Sequence, residues 1–73
     1  MKYAIEQRIR FIDFMIKNYG YIGRNVVMDF FGIGEVTASR DLKAYKELAP
    51  DNLSYSVEKK KYFKTTAFKS LYK

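Results

Sequence analysis

The stretch that decides the fold is Phe30-Phe31-Gly32-Ile33-Gly34-Glu35-Val36-Thr37-Ala38-Ser39-Arg40-Asp41-Leu42. It contains the end of one helix, a tight turn and the start of a second helix. Gly32 can adopt the left-handed conformation that commonly ends a helix. Gly34 is tolerated at the N-cap of the next helix, which begins at Glu35. One face of that helix is apolar and is formed by Ala38, Leu42, Tyr45 and Leu48 or Ala49.

The opposite face of the same helix carries small polar and basic side chains, which are Thr37, Ser39, Arg40 and Lys43. A DNA-recognition helix needs such residues near its start, because its first turns approach the base edges. An ordinary helical hairpin is the alternative, but the downstream sequence favours a DNA-recognition helix.

Size and composition limit the class of protein. The 73 residues suffice for one small domain, residues 1–73, with a modest core to which 7 Tyr and 6 Phe give bulk. Without Cys, neither a disulfide nor a thiolate metal site can stabilise it. No apolar run approaches the roughly 18 residues of a membrane span, and the charged, helix-like N-terminus does not resemble a signal peptide. We therefore expect a soluble intracellular protein.

The positive charge is concentrated at one end of the chain. All 8 acidic residues lie within residues 1–58, where Lys and Arg balance them, so the formal net charge of +6 lies in residues 59–73. Charge concentrated in this way indicates a polyanionic partner, either nucleic acid or an anionic membrane.

The first helix is predicted over residues 3–18. Its apolar stripe, widened by Phe11, Phe14 and Met15, consists of Ile5, Ile9, Ile12 and Ile16. Arg8, Asp13 and Lys17 have the spacing of a solvated face. We predict a single core that combines this helix with the next two and contains Ile9, Ile12, Ile16, Val27, Phe30, Ile33, Ala38, Leu42 and Tyr45.

The rest of the chain predicts a short helix, a long helix and a hairpin. The second helix spans residues 24–31, and the third runs from 35 to 48, ending before Pro50. The alternation in residues 53–57 predicts a strand, and residues 61–64 a returning strand that places Tyr55 beside Tyr62. This hairpin, about residues 53–64, is called the wing, and Tyr21-Ile22 is a candidate third strand. The expected fold is therefore α+β, a three-helix bundle with a C-terminal β-hairpin wing.

Three alternatives are open for the tail, residues 65–73. The spacing of Phe68, Leu71 and Tyr72 suits a last helical turn that docks on the domain. The same residues suit a dimer contact or a lead-in to a further domain.

Taken together, these motifs resemble a known family. The run Phe31-Gly32-Ile33-Gly34-x-x-Thr37-Ala38-Ser39-Arg40-Asp41-Leu42, preceded by Gly20-x-Ile22, resembles the winged helix-turn-helix of DeoR-type bacterial regulators, whose usual run is F-G-V-S-x-x-T-I-R-R-D-L. The N-terminal domain of WYL-domain transcriptional regulators, including those attached to phage-defence systems, is more similar still. That similarity rests on Arg24, Ala38-Ser39-x-Asp41-Leu42-x-x-Tyr45, Leu48-Ala49-Pro50-x-Asn52-Leu53-x-Tyr55 and Lys60-Lys61-Tyr62.

The resemblance covers roughly residues 8–68 and implies a sequence-specific regulator, expected to be a repressor, in the cytoplasm of a bacterium or phage-infected host. Gly34 departs from the usual Ser, which removes a capping hydroxyl. Those regulators also continue into a ligand-sensing, dimerising domain, which the 73 residues of this sequence do not contain. For these residues we therefore expect no small-molecule ligand, and a monomer or weak homodimer that pairs on DNA. A stand-alone regulator and part of a longer one are both open.

The candidate DNA contacts divide into two groups. Arg40 is expected to contact a guanine, with Thr37 and Ser39 contacting bases or phosphates and Lys43 a phosphate. Lys59, Lys60 and Lys61 are expected to reach phosphates or the minor groove. Asp41 would repel the DNA backbone, so we expect it to form a structural ion pair with Arg24.

An enzyme is not expected, because the absence of His and Cys removes the common general base, thiol nucleophile and zinc ligands. No metal is expected for the same reason. No cofactor is expected either, since Gly32-x-Gly34 lacks the strand and third Gly of a phosphate loop. A small phage or mobile-element protein that binds a host protein through its winged helix is the alternative function. Binding of the basic C-terminus to an anionic membrane is less favoured because its amphipathic unit is very short.

Overall fold

The computed structural model describes residues 3–72, which form three helices and one three-stranded antiparallel sheet. The elements are α1 (Tyr3–Tyr19), β1 (Tyr21–Ile22), α2 (Arg24–Phe31), α3 (Glu35–Leu48), β2 (Leu53–Ser56) and β3 (Lys61–Lys64). The strand order is β1-β3-β2. The predicted α+β class, with its three helices, wing and third strand, is confirmed. Lys73, the last residue of the expected tail, lies outside the described residues.

The turn between α2 and α3 has the predicted conformation. Gly32 has φ 64° and ψ 39°, and its N–H donates to the carbonyl of Met28, which ends α2. Gly34 is extended at the N-cap of α3, and its carbonyl accepts a 3.1 Å hydrogen bond from the N–H of Ala38. The left-handed residue reverses the chain within three positions, and this reversal fixes where α3 begins.

One core joins α1, α2, α3 and the sheet, and its buried apolar residues are Ile9, Ile12, Ile16, Ile22, Val27, Ala38, Leu42, Tyr45, Ala49 and Leu53. Ile33 is only partly buried against it. The prediction for Phe30 was wrong, since this side chain is 66% exposed. Phe31 packs against the core instead, and Phe30 stacks on Phe11 with ring centroids 4.3 Å apart. Phe14 is also exposed rather than part of the core stripe.

The sheet joins the wing to the helices. Tyr55 lies opposite Tyr62 with ring centroids 4.8 Å apart, as predicted. β1 pairs with β3, so Ile22 faces Tyr62 and also enters the core. At the tip, Lys60 has φ 56°, and its N–H donates to the carbonyl of Ser56 at 2.7 Å. The wing is therefore held at its base by strand pairing and at its tip by a closed turn.

The expected solvated face of α1 was partly wrong. Lys17 is exposed, but Asp13 is buried and Arg8 is mostly buried. The carboxylate of Asp13 accepts hydrogen bonds from the Tyr45 hydroxyl at 2.5 Å, the Leu71 N–H at 3.0 Å and the Ser70 hydroxyl. Hydrogen-bond donors from α3 and from the C-terminal segment make burial of this charge possible. The spacing of residues within α1 cannot reveal donors that lie so far away in the sequence.

The C-terminal segment, residues 65–72, docks on the domain without forming a helix. Phe68 and Tyr72 pack against the core. The side chain of Asn52 holds Lys69 on both sides, donating to its carbonyl at 2.7 Å and accepting from its N–H at 2.9 Å. The predicted docking of the tail is observed, but as irregular chain and not as a helical turn. The dimer contact and the lead-in to a further domain stay predictions. Within residues 3–72, no helix has the length and apolar character needed to cross a membrane.

Candidate nucleic-acid interface

The outer face of α3 is set by the residues that anchor its inner face. Ala38, Leu42 and Tyr45 are buried, so the opposite side of the helix faces solvent. Arg40 and Lys43 are exposed there, whereas Thr37 and Ser39 are half-buried. Because the inner residues are fixed in the core, the outer side chains project from a rigid support.

A cleft separates α3 from the wing and from the start of α2. Its volume is about 630 Å³, and the basic and polar residues at its walls include all three wing lysines that the sequence identified. We call it the wing cleft, and it is lined by Gly23, Arg24, Asn25, Val26, Ser39, Leu42, Tyr55, Lys59, Lys60, Lys61 and Tyr62.

A second, more open depression lies on the outer face of α3. We call it the α3 patch, and it is lined by Arg24, Glu35, Val36, Ser39, Arg40 and Lys43. Arg24 and Ser39 line both depressions, so the two surfaces are continuous. Thr37 lines neither of them, and it is the one candidate contact that the fold sets apart from the others.

The wing lysines are positioned by aromatic rings and by the backbone. The ammonium group of Lys61 lies 5.2 Å from the ring centroid of Tyr21, and that of Lys59 lies 5.7 Å from that of Phe63. Each ring attracts a cation through its quadrupole. Within residues 3–72, none of the three wing lysines forms an ion pair with a carboxylate. Their positive charge is therefore free to interact with an anion.

The predicted ion pair between Arg24 and Asp41 was wrong. Asp41 pairs with Arg8 of α1, and the side chains are only 5% and 14% exposed. Arg24 pairs instead with Glu35, with 2.9 Å between the guanidinium nitrogen and the carboxylate oxygen. The reason is geometric: Asp41 lies on the face of α3 turned towards α1, whereas Arg24 begins α2 beside the first turn of α3. Arg24 is consequently a surface residue of both depressions.

Several residues of this surface were not identified from the sequence. Asn25 lies in the first turn of α2, and Tyr55 and Tyr62 form the wing wall of the cleft. Burial raises the pKa of Tyr62, and the neighbouring Tyr55 raises it further. The Tyr62 hydroxyl is therefore protonated at neutral pH and remains a hydrogen-bond donor. One sequence signal could have found them. Tyr21-Ile22, the candidate third strand, comes just before α2, so its pairing with the wing brings the start of α2 close to the wing.

Comparison with known proteins finds a matching family model and several relatives. The family model described as the BrxR transcriptional regulator winged helix-turn-helix domain matches residues 4–73. Two relatives carry the name DNA-binding transcriptional repressor CapW. The one from Escherichia coli (strain KTE188) is 41% identical over 71 residues, which cover 97% of this chain and 24% of the relative. The one from Pseudomonas aeruginosa is 37% identical over 71 residues, with the same coverage of 97% and 24%. The chain thus spans about a quarter of the length of these relatives.

Proposed function

Because the chain belongs to the winged helix-turn-helix domain family of BrxR transcriptional regulators, we propose that it binds double-stranded DNA sequence-specifically and acts as a transcriptional repressor. The observation that carries this proposal is the continuity of two basic surfaces. The outer face of α3 and the lysine-lined wing cleft share Arg24 and Ser39. A duplex laid across α3 would meet both surfaces together.

In this proposal α3 enters the major groove. Arg40, exposed on a rigid helix, donates two hydrogen bonds to the O6 and N7 atoms of a guanine. Ser39 and Thr37 contact a base edge or phosphate near the start of α3. Lys43, one turn further along, neutralises a phosphate as a point charge.

The wing and the start of α2 bind the DNA backbone. Lys59, Lys60 and Lys61 line the cleft without an acidic partner among residues 3–72, so each is available to a phosphate or to the minor groove. Contacts of this kind fix the position of a protein on the duplex and carry little sequence information.

Two copies of the chain are proposed to pair on DNA. A single winged helix reads a short site, and two copies on a palindromic operator would read half-sites about one helical turn apart, or a multiple of it. The chain is expected to be monomeric or weakly dimeric without DNA. A footprint that covers one unpaired half-site at saturation would contradict this pairing.

Selection of bound duplexes from a random pool tests the proposed function. The selected duplex and a scrambled duplex of the same composition are then titrated over a salt series. We expect the selected duplex to bind more tightly at every salt concentration, and both affinities to fall as salt rises. Equal affinity for the two duplexes would show that the chain is only a basic protein that binds DNA without sequence preference.

A further inference from the structure

Val36 is an apolar side chain on the surface that the proposed function assigns to DNA. It lies in the first turn of α3 and is 64% exposed. Its neighbours in the α3 patch are charged or polar: Arg24, Glu35, Ser39, Arg40 and Lys43. An exposed valine there contributes little to the core of the domain, so we look for its contact partner in the molecule that binds the patch.

The position of Val36 relative to Arg40 limits the answer. The two residues are four positions apart on one helix, so they share a face and are separated by about 6 Å along the axis. If Arg40 reads a guanine, Val36 faces a base roughly one or two steps away, since base pairs are stacked about 3.4 Å apart.

The major groove offers a single kind of apolar group among the four bases, the 5-methyl group of thymine. The other base edges there present hydrogen-bond donors and acceptors, which an aliphatic side chain cannot satisfy. Placing Val36 against such an edge would remove water from a polar atom without replacing its hydrogen bond, which is unfavourable.

We propose that Val36 is a specificity-determining residue that packs against the 5-methyl group of a thymine within two base pairs of the guanine read by Arg40. This inference rests on the proposed function. Thr37 is the nearest residue that could supply a methyl group instead, but it lies outside the α3 patch that Val36 shares with Arg40, a position that favours its phosphate contact. Ala38 is buried in the core and cannot reach a groove.

The test replaces thymine by deoxyuridine, which removes the methyl group and leaves base pairing unchanged. Each thymine of the selected duplex is replaced singly, and the Kd is measured for the wild-type chain and for Val36→Ala. The guanine read by Arg40 is first identified as the one whose substitution weakens binding by the wild-type chain but not by Arg40→Ala. One deoxyuridine replacement within two base pairs of that guanine should weaken DNA binding by the wild-type chain about fourfold, the effect of one buried methyl group. The same replacement should leave the affinity of Val36→Ala unchanged.

The matched control is Leu48→Ala, which truncates an exposed apolar side chain at the other end of α3. It should retain the full response to deoxyuridine. If no thymine in that window responds, or if Val36→Ala responds as the wild type does, the assignment of Val36 is wrong although DNA recognition stands. If no duplex is preferred over its scrambled counterpart, the proposed function fails and this inference fails with it.

Discussion

The hydroxyl of Tyr45 in α3 donates a hydrogen bond of 2.5 Å to the carboxylate of Asp13 in α1, and both residues are buried. The side-chain amide of Asn52 donates to the same tyrosine oxygen at 3.1 Å. Asp13 also accepts from the N–H of Leu71. The proposed DNA-reading helix is thus fastened to α1 and to the C-terminal segment through one polar network in the core. Within residues 3–72, every buried side-chain nitrogen and oxygen has a hydrogen-bond partner.

Tyr45→Phe should make the domain less sensitive to alkali. Burial raises the pKa of Tyr45, and its hydrogen bond to Asp13 raises it further. The contribution of Tyr45 to the free energy of unfolding is therefore complete below the unfolded pKa of about 10, and it is lost as the pH rises from there towards the folded pKa. The wild-type free energy of unfolding should fall by up to about 1.4 kcal/mol more per pH unit than that of the variant.

Urea denaturation between pH 7 and 11 measures this difference. Tyr21→Phe is the control, because Tyr21 is exposed and has no hydrogen bond to Asp13. If the free energy of unfolding fell equally steeply with pH for Tyr45→Phe and the wild type, the buried hydroxyl would not be the cause of the loss of stability in alkali.

Arg8→Met should be strongly destabilising, because it leaves the buried carboxylate of Asp41 without its cation. Removing one partner of a buried ion pair costs about 3–5 kcal/mol. Arg10→Met is the matched control on the same helix, since its 3.9 Å pair with Glu6 is exposed and should contribute about 0–1 kcal/mol. The Arg10 guanidinium also lies 4.2 Å from the ring centroid of Tyr72, a contact worth about 0.5–1 kcal/mol at an exposed site. Arg8→Met combined with Asp41→Leu should recover much of the loss. A small effect of Arg8→Met in chemical denaturation would contradict this role of the pair.

Gly32→Ala and Gly34→Ser should shift stability in opposite directions. Both glycines have open space where a Cβ would lie, so conformation and not steric contact decides the outcome. Gly32 has φ 64°, and Ala in that left-handed conformation costs roughly 1 kcal/mol. Gly34 is an extended N-cap with no side-chain hydrogen bond, and Ser there should add a few tenths of a kcal/mol. Thermal unfolding midpoints that move in the same direction for both variants would contradict this conformational account of the turn.

Removing the wing lysines should weaken binding to all sequences alike. The variant combines Lys59→Gln, Lys60→Asn and Lys61→Gln, with Asn chosen because Lys60 has a positive φ. If each lysine meets one phosphate, the slope of log K against log salt should flatten by up to about 3. The control removes Lys17 and Lys69, exposed lysines that line neither depression. The same flattening per charge removed in the control would mean that net charge, and not the wing, determines the salt dependence.

The sequence predicted the helix-turn-helix and the wing because both follow from local rules. Gly32 determines the turn, and the helical spacing of Ala38 and Leu42 determines the inner face of α3. The alternation of apolar and polar residues determines the first strand of the wing. The polar partners of Asp13 and Asp41 could not be predicted in this way. They come from residues distant in sequence, and an acidic residue within a helix has the same spacing whether it is solvated or paired in the core. Arg24 was assigned to the wrong partner for the same reason.

The measurement that tests the account most directly is the preference for the selected over the scrambled duplex, compared between Arg40→Ala and the wing-lysine variant. Arg40→Ala should lose about 1–3 kcal/mol on the selected duplex, relax the preference at one base position and keep its salt slope. The wing-lysine variant should keep the preference and show a flatter salt slope. If Arg40→Ala preserved the preference while the wing-lysine variant abolished it, α3 would not be the element that reads the sequence.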